Sequence, residues 1–141
     1  DVEVRGEVYM PYGAFEKLNQ KQIEDGLPTF KNPRNAAAGT LRQLDPKIVE
    51  GRGLTMFVYF GLFEDKNIAP KTHSGTMEYL KKLGFRVNNF SIAKNIDEVC
   101  AFCAYQSEER HKLPYATDGV VVKVDDVNIE KMVEISYLKN F

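Results

Sequence analysis

The first residues alternate strictly, with Val2, Val4, Gly6 and Val8 set against Glu3, Arg5, Glu7 and Tyr9. A period of two is the mark of a half-buried strand, so 2–10 is predicted to be one, with Arg5 and Glu7 projecting from the same face. The pattern then lengthens to a helical one from Tyr12 to about Glu24, followed by a loop over 26–34 and a short helix from Asn35, its expected cap, to about Gln43. A turn around Asp45-Pro46 leads to a strand at 54–63. Its Leu54-Thr55-Met56-Phe57-Val58-Tyr59-Phe60-Gly61 is apolar on both faces and therefore reads as a central strand. Thr72 caps a helix at 73–83 that Gly84 stops; a strand at 85–91, a helix at 97–110 capped by Asp97, a strand at 119–125 and a last helix over 130–141 complete the order. Irregularly connected strands outnumbered by helices point to an α+β fold with a mostly antiparallel sheet and flanking helices. A doubly wound parallel sheet is the alternative, disfavoured because no glycine-rich strand-to-helix phosphate loop is present.

The strand at 119–125 carries the clearest chemistry. In Asp118-Gly119-Val120-Val121-Val122-Lys123-Val124, Val121 and Lys123 share one face, while Val120, Val122 and Val124 share the other, which reads as core. A branched aliphatic side chain beside an ammonium group suits an aromatic base with a phosphate tail. An edge strand whose lysine discourages aggregation accounts for the same seven residues.

A second constellation runs from Phe30 to Gln43. Arg34 is expected at the mouth of the short helix and Arg42 about two turns along it, about 12 Å of rise away, a spacing that suits successive phosphates. Ala36, Ala37, Ala38 and Gly39 between them fit either a tightly packed helix or the close approach of another backbone or a ligand. On the opening strand Glu7 is either half of an exposed ion pair or an acceptor for ribose hydroxyls, and Tyr59 is either a core ring or a face offered to a base. Arg110, at the end of its helix, is a further cation able to face a phosphate. His73 and His111 have no acidic or cysteine neighbours at ligand spacing and are assigned no role. Cys100 and Cys103 are the only cysteines; with no second pair to complete a tetrahedral shell they read as small fillers on a helix, and no zinc is expected in this segment.

Charge decides little. Nineteen basic against twenty acidic residues leave a formal net charge of -1, so contact with nucleic acid must come from a local cluster and not from a global field. No apolar run approaches the ~18 residues of a membrane span, and no leader pattern precedes the first strand, which makes a cytoplasmic location the default. The start at Asp1, directly inside a strand pattern and without methionine, and the open helical end at Phe141 read as a piece truncated at both ends.

With these segments in view, the chain resembles the adenylation (nucleotidyltransferase) domain of the bacterial NAD-dependent DNA ligases, specifically its later, C-terminal portion. Glu3-Val4-Arg5-Gly6-Glu7-Val8 is similar to the third motif of that superfamily, Tyr59 lies in its aromatic strand motif, and Asp118 to Lys123 resembles the fourth motif. Asn32 to Asp45 looks like a stretch peculiar to the NAD-dependent branch; an ATP-dependent ligase or a capping enzyme, the rivals that share the Asp118 motif, should lack it. The resemblance implies that Glu7 binds the adenosine ribose, that Tyr59 and Val121 flank the adenine, and that Lys123 contacts the adenylate phosphate. Asp118 would support the reacting centre, through magnesium or another divalent cation where one is used. Arg34, Arg42 and Arg110 would serve the phosphates of adenylate or of DNA. The activity implied is the sealing of nicks in duplex DNA by a monomeric bacterial enzyme that consumes NAD and passes through lysyl-AMP and DNA-adenylate intermediates, with roles in DNA replication and repair. The family's nucleophile is a lysine in Lys-x-Asp-Gly, and the two Asp-Gly pairs here, Asp25-Gly26 and Asp118-Gly119, have Ile23 and Ala116 where that lysine would stand. The segment is therefore expected to be inactive alone. A non-catalytic nucleotide- or DNA-binding module on the same scaffold is the alternative.

Overall fold

The computed structural model describes residues 1–129, so the helix expected over 130–141 lies outside the described residues. Strands β1 (Val2–Tyr9) and β2 (Thr55–Phe63) pair antiparallel, and among the described residues they are accompanied by helices α1 (Tyr12–Glu24), α2 (Pro33–Leu41), α3 (Pro46–Glu50), α4 (His73–Lys82) and α5 (Ile96–Glu109). The α+β class holds. Its sheet is smaller than expected. In place of a strand at 85–91 there is a single parallel bridge between Val58 and Val87, supported by the Val58 N–H donating to the Arg86 carbonyl at 2.8 Å. Asn88 and Asn89, poor strand formers, follow at once. Residues 119–125 form no ladder among the described residues, and the face expected to be core is open: Val120, Val122 and Val124 are all exposed. Alternation states which side chains share a face; burial also needs a partner to cover it.

The chain divides into two compact units, one built from Asp1–Gly6, Phe57–Tyr105 and the residues from Val120, the other from Glu7–Met56 and Gln106–Gly119. In the second unit Met10, Leu18, Ala36 and Ala37 form the core, with Ala14, Phe15, Phe30 and Leu54 packed against them. The small residues of α2 are explained here by tight packing. A Cβ on Gly39 would lie 2.8 Å from Phe30 Cε1, and Thr40, fully buried, satisfies its hydroxyl by donating to the Ala36 carbonyl at 2.7 Å. Helix α2 begins earlier than expected. Asn32, not Asn35, is the cap, its Oδ1 accepting the Asn35 N–H at 2.8 Å, because Pro33 with its preset φ and missing N–H occupies the first helical position. The turn at Asp45-Pro46 is likewise a helix start, with Asp45 accepting from the Lys47 N–H at 2.9 Å and opening α3.

In the first unit α4 forms as expected. Thr72 Oγ1 accepts the Gly75 N–H at 3.0 Å, and at the other end Gly84, with φ of 90°, lets the Phe85 N–H return to the Leu80 carbonyl at 3.1 Å. Leu80, fully buried, and Phe63 close on Gly61, where an added Cβ would meet Phe63 Cε2 at 3.2 Å and Leu80 Cδ2 at 3.4 Å. The cap of α5 is corrected from Asp97 to Asn95, whose Oδ1 accepts the Glu98 N–H at 2.9 Å while Glu98 Oε2 reaches back to the Lys94 N–H at 2.8 Å.

Candidate functional site

The residues singled out from sequence fall into two sets, one in each unit. In the first unit Tyr59 projects from β2 with 42% of its surface exposed, and the Lys123 Nζ lies 5.9 Å from its ring centroid. An ammonium at that distance is drawn to the negative face of the ring. The pairing places a π surface and a cation side by side, the two features that a base carrying a phosphate recruits. Val121, 80% exposed, sits two residues before Lys123 and presents aliphatic surface to solvent. On β1 Arg5 is likewise stacked, 5.1 Å over the Phe60 ring, and its Nε lies 3.2 Å from Glu3 Oε1. The carboxylate that Arg5 meets is thus Glu3.

In the second unit Glu7 is exposed on β1, as the alternation requires. Arg34, in the first turn of α2, meets Asp118 across 3.7 Å, Nη1 to Oδ2, with both side chains more than four-fifths exposed. A guanidinium at a helix N-terminus opposes the helix dipole, so the position is maintained against a small electrostatic cost that Asp118 offsets. Arg42 is exposed at the C-cap of α2, where a cation is favoured. Arg110 is committed locally: its Nη2 donates to the Thr117 carbonyl at 2.9 Å and so braces the segment that leads to Asp118. Sequence reasoning missed this contact, the Arg34 to Asp118 pairing, and a set of hydrogen bonds that joins Asp125 to the start of α4. The last had a readable signal, since a helix start offers more N–H groups than Thr72 alone satisfies.

Asp118 is a single carboxylate engaged by a guanidinium, and among the described residues no group of three or more His, Cys, Asp or Glu side chains could hold a metal ion. These residues do not by themselves fit a divalent cation. Cys100 is exposed and Cys103 half-buried on α5. No helix among the described residues is long and apolar enough to cross a membrane.

A family model for the NAD-dependent DNA ligase adenylation domain matches residues 1–138. The chain belongs to that family. It is similar to the DNA ligase of Carboxydothermus hydrogenoformans, 48% identical over 127 residues that make up 89% of this chain and 19% of that protein. Against the DNA ligase of Shouchella clausii the identity is 50% over 128 residues, again 89% of this chain and 19% of the relative. The DNA ligase of Bacillus cytotoxicus is 48% identical over 131 residues, 92% of this chain and 19% of its own length. The chain thus spans about a fifth of the length of these relatives.

Proposed function

We propose that these residues are the later part of an adenylation domain with the nucleotidyltransferase fold, and that they supply one wall of the adenylate pocket in a bacterial, cytoplasmic NAD-dependent DNA ligase that seals nicks in duplex DNA. The observation that carries the reading is the Tyr59 to Lys123 pair, an exposed ring with an ammonium 5.9 Å from its centroid, inside a chain of this family. Tyr59 and Val121 hold the adenine between a ring face and a branched aliphatic, and Glu7 accepts from the ribose hydroxyls. Lys123 neutralises the adenylate phosphate as negative charge grows on its oxygens, which stabilises the transition state more than the ground state. Arg34 and Arg42, exposed at the two ends of α2, bind phosphates of the nicked strand. The nucleophilic lysine comes from sequence outside these 141 residues. Its amine bonds to the adenylyl phosphorus while the bond to nicotinamide mononucleotide breaks; the adenylyl group then moves to the 5′-phosphate of the nick, and the 3′-hydroxyl displaces AMP. Magnesium, where used, is not held by the described residues alone.

In a full-length ligase carrying this segment, Lys123→Ala should slow lysine adenylylation from NAD by a barrier increase of about 2–4 kcal/mol. The isolated chain should form no covalent AMP adduct. An unchanged adenylylation rate would return Lys123 to the role of a strand-edge guard, and a denaturation-stable adduct on the isolated chain would overturn the proposed division of labour.

A further inference from the structure

The start of α4 is tied to a segment far along the chain by more bonds than a helix cap needs. The Thr72 hydroxyl already serves the Gly75 N–H at 3.0 Å, yet the Asp125 carboxylate adds two bonds of its own. Its Oδ1 accepts the Ser74 N–H at 2.7 Å and its Oδ2 accepts from the Ser74 hydroxyl at 2.9 Å. The backbone joins in, with the His73 N–H donating to the Asp125 carbonyl at 2.7 Å, the Val127 N–H donating to the Lys71 carbonyl at 3.2 Å, and an antiparallel bridge between Thr72 and Asp126. Carboxylate bonds at a helix N-terminus are charge-assisted and favoured by the dipole. The chain is therefore pinned from Asp125 to Val127, whereas Val120, Val121, Val122 and Val124 are exposed and build no ladder among the described residues. Lys123 lies two residues before the pin, so the anchor governs where its ammonium can stand over Tyr59.

We propose that Asp125, held by Ser74, is a positioning residue that fixes Lys123 for adenylyl transfer. This rests on the function proposed above for Lys123. In a full-length ligase carrying this segment, single-turnover adenylylation, KM for NAD and melting temperature are measured for Asp125→Ala, Asp125→Asn, Ser74→Ala, Lys123→Ala and the double change Asp125→Ala with Lys123→Ala.

The expected result is a loss of about tenfold or more in rate for Asp125→Ala, with KM changed less, and no further loss when Lys123 is already alanine. Asp125→Asn should recover activity to within about threefold of the parent, because an amide oxygen still accepts the Ser74 N–H and its NH2 can donate to the Ser74 hydroxyl. Losses that add fully to those of Lys123→Ala, or an asparagine that behaves like alanine, would overturn the positioning role. If Asp125→Ala is unfolded at the assay temperature, Ser74→Ala carries the test. It removes one of the two bonds to the Asp125 carboxylate, together with the 3.3 Å contact to Thr72 Oγ1, and its smaller rate loss must likewise vanish in the Lys123→Ala background. A Lys123→Ala enzyme with parental rates would overturn both this inference and the function it rests on. A slow Lys123→Ala enzyme with additive Asp125 effects would overturn the inference alone.

Discussion

The Arg34 guanidinium and the Asp118 carboxylate face each other across 3.7 Å, with side-chain exposures of 84% and 93%. Such a pair contributes little to stability, at most about 1 kcal/mol, and is easily exchanged for another anion. A phosphate therefore competes for Arg34 without dismantling anything. In the full-length ligase Arg34→Ala and Arg42→Ala should each flatten the salt dependence of nicked-DNA binding by about one unit of log–log slope, with melting changed by no more than about 0.5 kcal/mol. Arg110→Ala should behave differently. Losing the bond to the Thr117 carbonyl should lower stability by about 0.5–1.5 kcal/mol, more than either of the others. Salt-titrated binding and thermal melts on the three variants decide it; lower melting with unchanged slope for Arg34 and Arg42 would remove both from the phosphate site.

Gly39 offers a test of how tightly α2 is packed. Replacing a helical glycine by alanine ordinarily gains about 1 kcal/mol, but here the new methyl would meet Phe30 Cε1 at 2.8 Å. The ring is half-buried against the core and its backbone is bonded on both sides, so it yields only by leaving its packing. Gly39→Ala is expected to destabilise by about 1–2 kcal/mol, and Phe30→Leu in the same molecule to recover part of that loss. Chemical denaturation of the two single variants and the double variant gives the coupling directly.

Tyr115 sets a limit at high pH. Its ring meets Tyr9 edge-on, centroids 5.2 Å apart, and its hydroxyl pKa is raised above 10.0, first by burial and then by repulsion from Tyr9. A raised value in the folded state means that folding retains a proton that the unfolded chain releases. Stability from this group is fully present below about pH 10 and falls as pH rises beyond it. Urea midpoints measured from pH 8 to 11 should decline above about pH 10, and Tyr115→Phe should flatten that decline.

Chelation with EDTA should leave melting unchanged, since Cys100 and Cys103 sit on α5 without two further ligands among the described residues. Loss of structure on chelation, reversed by added zinc, would show that the cysteine pair completes a site elsewhere.

What could be read from sequence was local. The alternation over Val2–Tyr9 reappears as alternating burial along β1, and Thr72 and Gly84 bound α4 as expected, because caps and strand faces depend on neighbours a few residues away. Asn32 and Asn35 are equally good caps by type, and only the preference of Pro33 for the first helical position separates them. The strand at 119–125 failed for a different reason: valine propensity states what a pleated surface would accept and says nothing of whether a neighbouring strand is there. The contact of Lys123 with the Tyr59 ring, like the partners of Arg34 and Asp125, joins residues too far apart along the chain for any spacing rule to find.

Asn19 on α1 treats Phe30 as a neighbouring strand would, its Nδ2 donating to the Phe30 carbonyl at 3.0 Å and its Oδ1 accepting the Phe30 N–H at 2.8 Å. One side-chain amide thus impersonates a peptide group, and a second on the same helix, Gln22, donates its Nε2 to the Pro28 carbonyl at 3.0 Å, so the loop between α1 and α2 is latched at its far end and again two residues before it. The Phe30 amide can then exchange its hydrogen with solvent only when the Asn19 latch opens. Because both latches grip backbone atoms, side chains in the loop can drift in type while two amides on the helix before it hold its course.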